Sequence, residues 1–137
     1  MRCIIALLTI YFVSAIPVAA AERFSLYTDA CYNVEGGDLL GYRIGILRLS
    51  DAPYVFFQEA SGDWSAPSVV KVSADELKRG KLTFTISNGG KPFGFRGTIT
   101  EKAVTGRFDG LFDDKGKPLA VRLRRISPSI KGALNCR

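Results

Sequence analysis

The chain has no histidine among its 137 residues. Ser-His-Asp and Cys-His nucleophile activation, imidazole metal ligation and the commonest general base near neutral pH are therefore closed to it. The groups left for chemistry are three cysteines, 19 Lys and Arg, and 13 Asp and Glu. Carboxylates at Asp29, Glu35, Asp38, Glu59 and Asp63 offer a pair for acid–base work, but they stand in turn-rich stretches with no diagnostic spacing. Asp113 and Asp114 offer oxygens to calcium, although their DDKGK context is that of a hairpin turn. No P-loop, dinucleotide fingerprint or cysteine cluster occurs. An enzyme is the least favoured reading, with no catalytic residue, cofactor or metal expected.

The arginines are better placed. Arg96, Arg107, Arg122 and Arg124, together with Lys81, fall on alternate positions of runs whose other positions are apolar, so one sheet face must collect them. Hairpin register sets Arg96 opposite Arg107 and is expected to set Arg107 opposite Arg124, with Asp109 opposite Arg122 as compensation. Like charges facing each other destabilise a sheet. A solvated outer face accounts for such a row, since exposed charges repel weakly at physiological salt. An acidic protein surface or a cell-envelope phosphate is the alternative, because the planar guanidinium fork suits both. Nucleic acid is not expected, as that face has no stacking aromatic residues.

Four strands must position these residues: Lys81–Ser87, Pro92–Thr100, Val104–Phe112 and Pro118–Ile126, joined at NGGK, EKA and DDKGK. The registers pair Ile86 with Phe93, Phe84 with Phe95, Ile99 with Val104 and Phe95 with Phe108. They also expect Phe112 to face Leu119 and Phe108 to face Leu123. The inner row is then Leu82, Phe84, Ile86, Phe93, Phe95, Ile99, Val104, Phe108, Phe112, Leu119, Val121 and Leu123. Gly97 and Gly106 fall opposite each other within it, where strands approach closely. The rings of Phe84, Phe93, Phe95, Phe108 and Phe112 either fill the interior or line a cavity for one small apolar ligand.

Upstream, Phe24–Thr28 alternates weakly and Asp29–Asp38 is turn-rich. Tyr42, Ile44 and Ile46 share one face while Leu47 and Leu49 share the other, and the change of phase beside Gly45 predicts a bulge. Pro53–Glu59 is apolar on both faces, through Val55 and Phe57 on one and Tyr54 and Phe56 on the other. A turn is expected at Ser61–Asp63, irregular chain from Trp64 to Pro67, and a short strand at Ser68–Val72. Tyr42, Tyr54, Phe56, Phe57 and Trp64 are candidates for the rim of a mouth. Ser73 and Glu76 have capping-box spacing and Gly80 is a stop, so Ser73–Gly80 holds one or two helical turns. About eight strands with frequent turns and almost no helix give an all-β fold, a small antiparallel up-and-down β-barrel.

Arg2 and the apolar run Cys3–Ala20, which ends in small residues after Pro17, read as a signal peptide over residues 1–21, with a membrane anchor as the competing reading. Cys3 lies upstream of any cut. Residues 22–137 then form a single β-barrel domain, exported to the periplasm or secreted, with no membrane span after cleavage. The formal net charge of +6 falls to +5 when Arg2 leaves with the leader. Cys31 and Cys136 are the cysteines that remain, and in an oxidising compartment they are expected to form a disulfide.

The runs LTFTI at Leu82–Ile86, FRGTI at Phe95–Ile99, VTGRF at Val104–Phe108 and VRLRR at Val121–Arg125 resemble strands of small lipocalin-like barrels of exported bacterial proteins. Avidin-like barrels use a similar recurrent glycine-x-aromatic strand. The resemblance covers roughly residues 40–126 and implies a fold, without carrying functional residues across. The expectation is a non-enzymatic exported binding module for a protein or anionic partner, of the inhibitor or immunity type. The other reading is a lipocalin-like carrier of a small apolar ligand.

Overall fold

The computed structural model describes residues 23–88, 91–126 and 134–136. Residues 1–21, expected to be a signal peptide, with Cys3, and the Gly89–Gly90 tip of the NGGK loop lie outside the described residues. The elements in chain order are β1 (Phe24–Thr28), β2 (Cys31–Tyr32), β3 (Leu39–Arg48), β4 (Pro53–Trp64), β5 (Ser68–Lys71), α1 (Ala74–Lys78), β6 (Lys81–Asn88), β7 (Lys91–Ile99), β8 (Ala103–Phe112), β9 (Pro118–Ile126) and β10 (Leu134–Asn135).

Hydrogen-bonded neighbours run β5-β4-β3-β1-β9-β8-β7-β6. Every ladder on that path is antiparallel. Two-residue β2 continues the line of β1 along β3, and β10 pairs with β2 in parallel. The staves therefore follow chain order from β1 around to β9, which returns to β1. This is the expected up-and-down antiparallel barrel, nearly closed, with β5 and β6 adjacent across the remaining seam. The disulfide joins Cys31 at the start of β2 to Cys136 just after β10, with Cα atoms 4.8 Å apart. The amide of Cys136 donates to the Tyr32 carbonyl at 3.0 Å, so the bridge and the parallel pairing hold the same end of the chain.

Alternation builds the core. Tyr27, Ile44, Ile46, Val55 and Phe57 come from one half of the barrel, and Leu82, Phe84, Phe95, Phe108 and Leu123 from the other. The registers of β6 with β7 and of β7 with β8 are those read from the sequence, including Phe84 opposite Phe95, Phe95 opposite Phe108 and Gly97 opposite Gly106. Helix α1 starts at an N-cap, where the Ser73 hydroxyl accepts from the Glu76 amide, and the chain leaves it through Gly80 at φ +72°.

Three local expectations fail. The register of β3 runs unbroken against β1 and β4, so Gly45 marks no bulge. It is bare because the Phe56 ring lies on it: a Cβ there would sit 2.0 Å from the ring. The Ser61–Asp63 turn and the irregular Trp64 are instead strand, since β4 continues to Trp64 with Gly62, at φ +92°, opposite Leu39. The third correction concerns β8 and β9. Arg107 pairs with Ala120 and Phe112 with Pro118, so four residues of β8 oppose one of β9. Gly110, at φ +101°, takes the conformation such an irregularity needs. The phase shift turns Leu111 toward the core and leaves Phe112 63% exposed, outside the inner row and away from Leu119. Val104, not Phe108, faces Leu123.

Candidate functional site: a cationic outer face

On β8 the outward positions are Thr105, Arg107 and Asp109, and on β9 they are Ala120, Arg122 and Arg124. The register places a small residue opposite each arginine of this pair of strands: Ala120 faces Arg107, Thr105 faces Arg122 and Ala103 faces Arg124. The expected row of three arginines is therefore corrected, since Arg107 does not face Arg124 and Asp109 does not face Arg122. Arg96 does face Arg107 across β7 and β8. That like-charge pair is resolved by Asp109, which accepts from Arg96 Nε at 2.8 Å and forms the ion pair with its guanidinium. Asp109 reaches Arg96 because it stands opposite Gly94, two residues along the same strand.

One carboxylate thus neutralises Arg96. Among the described residues, Arg107, Arg122, Arg124, Lys81 and Lys102 form no ion pair. Like charges on this exposed face repel weakly at physiological salt, and a bound anion would relieve that repulsion.

Shape follows from the small residues. A shallow groove of about 510 Å³ lies over Ala120 and the backbone of Gly97 and Gly106, bordered by Lys81, Thr83, Arg96 and Arg107. β7 and β8 approach closely at this pair: a Cβ on Gly97, directed to the Phe95 side, would lie 2.3 Å from the Thr105 carbonyl oxygen. A second groove of about 520 Å³ opens over Ala103, bordered by Glu101, Lys102, Arg122 and Arg124, with Arg125 at its end. Arg125 points to the barrel end, where its Nη1 donates to the Glu101 carbonyl at 3.4 Å. The arrangement offers forked donors from exposed guanidiniums on a rigid sheet, suited to carboxylate or phosphate oxygens.

The interior is occupied by rings. Phe95 and Phe108 have centroids 5.0 Å apart, Phe84 stacks on Phe95 at 5.1 Å, and Phe57 meets Phe93 and Phe108 at 5.5 and 5.3 Å. Of the suggested cavity lining, Phe84, Phe93, Phe95 and Phe108 are buried in this packing and Phe112 is outside it. The five candidates for a rim do not gather at one mouth. Tyr42 and Phe57 stack within the core, Tyr54 and Phe56 face outward, and Trp64 carries the Arg43 guanidinium 3.9 Å above its ring.

Of the five carboxylates suggested for acid–base work, Asp29 and Asp63 accept from backbone amides, and no two of the five form a hydrogen-bonded pair among the described residues. The ladder of β1 breaks after Thr28, and Asp29 Oδ1 accepts from the Tyr42 amide at 2.7 Å while the Thr28 hydroxyl donates to the Tyr42 carbonyl at 2.7 Å. Gly41, at φ +123°, makes room, since a Cβ there would lie 2.8 Å from Asp29 Oδ1. Although Asp29 is exposed as a residue, partial burial of its carboxylate raises its pKa, against the pull of the Tyr42 amide. Burial likewise raises the Tyr42 hydroxyl, with the charges of Glu59 and Asp29 adding to it. Asp113 Oδ1 accepts from the Lys115 and Lys117 amides, both at 2.9 Å, which is the hairpin-turn use of DDKGK. Lys102 is the cation of the site that sequence reading missed, and its place in the EKA turn next to Ala103 was the available signal. No family model matches the chain, and no curated protein or solved structure matches it either.

Proposed function

We propose that the protein is a non-enzymatic binding module of the exported compartment, engaging an anionic partner through the outer face of β8 and β9. The observation that carries this reading is the set of Arg107, Arg122 and Arg124, each opposite a small residue and without an ion pair among the described residues. A face selected only for solubility gains from interspersed signs. Here Asp109 is spent on Arg96, and Glu101, at the edge of the second groove, forms no ion pair with Arg122 or Arg124 among the described residues.

Replacing Arg107 and Arg124 together with Gln tests it. The pair of changes should leave stability equal or slightly higher, because repulsion is removed. Affinity for a labelled polyphosphate, used as the probe anion, should fall at least about tenfold at low salt, and the wild-type binding should fade as salt rises. Unchanged affinity would return these arginines to ordinary solvated surface.

A further inference from the structure

The other half of the barrel carries an outward apolar row. Val69 of β5 faces Phe56 of β4, Phe56 faces Gly45 of β3, Gly45 faces Leu26 of β1, and Leu26 faces Ile126 of β9. Phe56 lies flat over Gly45 and stacks on Phe24, with centroids 5.4 Å apart and planes within 8°. Phe24 is 39% exposed and Val69 66% exposed. The row ends on β9, where Arg124, two residues from Ile126, stands opposite Thr28. No strand separates the apolar row from the arginines: β1 carries one and β9 the other.

We infer that this junction is where the protein lies on an anionic lipid bilayer, with Phe24 and Phe56 entering the headgroup–acyl boundary and Arg122 and Arg124 taking lipid phosphates. The inference rests on the reading that these arginines meet an anion, and it names the surface that supplies it. Phe, Leu and Val beside Arg is the composition of a body lying in the interface plane, where apolar burial and attraction to anionic lipid add. The barrel does not span, because its interior is apolar and the outer face of β7 to β9 carries arginine and threonine where a spanning barrel needs an apolar band. A second copy on the same face would bring uncompensated arginines together.

Sedimentation with vesicles of phosphatidylcholine, with or without phosphatidylglycerol, tests this, in parallel with binding of labelled polyphosphate. A variant with Phe24, Arg122 and Arg124 all replaced gives the background partition that residues 1–21 contribute, and this is subtracted before ratios are taken. Phe24→Ser should lower partition into anionic vesicles about tenfold and leave polyphosphate binding unchanged. Arg122→Gln and Arg124→Gln should each lower vesicle partition about fivefold. Val69→Ser, at a more exposed position, serves if Phe24→Ser disturbs the fold. Phe24→Trp should show a blue-shifted emission with anionic vesicles. Partition unchanged by the apolar substitutions, with no shift of the Phe24→Trp emission, overturns the inference. Polyphosphate binding that depends on the arginines without any vesicle binding also overturns it, leaving a soluble acidic partner and the cationic face intact. Loss of both removes the cationic face as well.

Discussion

Adding one methyl group at Gly97 should lower the melting temperature of this barrel by several degrees, whereas the same change at Gly94, on the same strand, should not. A Cβ at Gly97 would sit 2.3 Å from the Thr105 carbonyl oxygen and 2.8 Å from the Gly106 Cα, both backbone atoms. Reaching an ordinary contact requires β7 and β8 to part by about 1 Å, in a sheet whose strands are held about 4.8 Å apart by their ladder. Overpacking of this kind costs typically 1–3 kcal/mol, and with backbone on both sides the upper end applies, about 3 kcal/mol. The entropy gained by replacing glycine returns roughly 0.5 kcal/mol. For a domain of this size the net loss lowers the melting temperature by about 10 °C. At Gly94 the nearest atoms to the added Cβ are 3.8 Å away, so Gly94→Ala should melt within about 2 °C of the parent or above it. Calorimetric melts of both variants make the comparison. Gly97→Ala melting level with Gly94→Ala would refute the close approach of β7 and β8 at the Gly97–Gly106 pair.

Phe108→Ala should cost about 3–5 kcal/mol, whereas Phe112→Ala, beyond the Gly110 irregularity, should stay within about 0.5 kcal/mol; urea denaturation of the two separates the buried ring from the exposed one. Asp29→Ala removes the acceptor of the Tyr42 amide and should lose about 1 kcal/mol, whereas Asp29→Asn keeps that oxygen. Because burial raises the Asp29 pKa, the folded chain holds this proton more tightly than the unfolded one, so its contribution to stability is full below about pH 4 and declines as pH rises through the folded value. Asp29→Asn should accordingly gain on the parent at pH 7 and match it at pH 3, as read by thermal melts. Reducing the Cys31–Cys136 bridge, which spans 105 residues, should cost up to about 5 kcal/mol on chain entropy, seen as a lower melting temperature with reductant and none for the Cys31→Ser, Cys136→Ser protein.

The meander was legible because side-chain alternation and turn residues agree from Lys81 to Val104. Two hairpin registers, the Gly97–Gly106 pair and the arginine face follow from parity alone. Parity also kept Arg122 and Arg124 outward even though their partners were misplaced. The pairing of β8 with β9 was not legible, because a four-against-one irregularity at Gly110 shifts register by amounts that no alternation pattern encodes. Gly45 misled for a related reason: a bare position signals either a kink or a ring lying on the backbone, and only the fold brings Phe56 over it. The length of β4 was hidden by Ser61, Gly62 and Asp63, turn-forming residues held in the sheet by pairing with Leu39 and Leu40. Trp64 closes that strand with Arg43 on its ring, a contact between residues 21 positions apart that local sequence cannot announce.

The cationic face is tested most directly by two charge-matched triple variants: Arg107, Arg122 and Arg124 changed to Gln, against Lys91, Lys115 and Lys117, at the far end of the barrel, changed to Gln. Anisotropy of labelled polyphosphate across a salt series gives affinity and salt dependence for each. Both variants lose three charges, so steering by net charge is equal between them. The arginine variant should lose at least about tenfold in affinity and most of its salt dependence while the lysine variant stays within about threefold of the parent. Equal weakening by the two variants would contradict it.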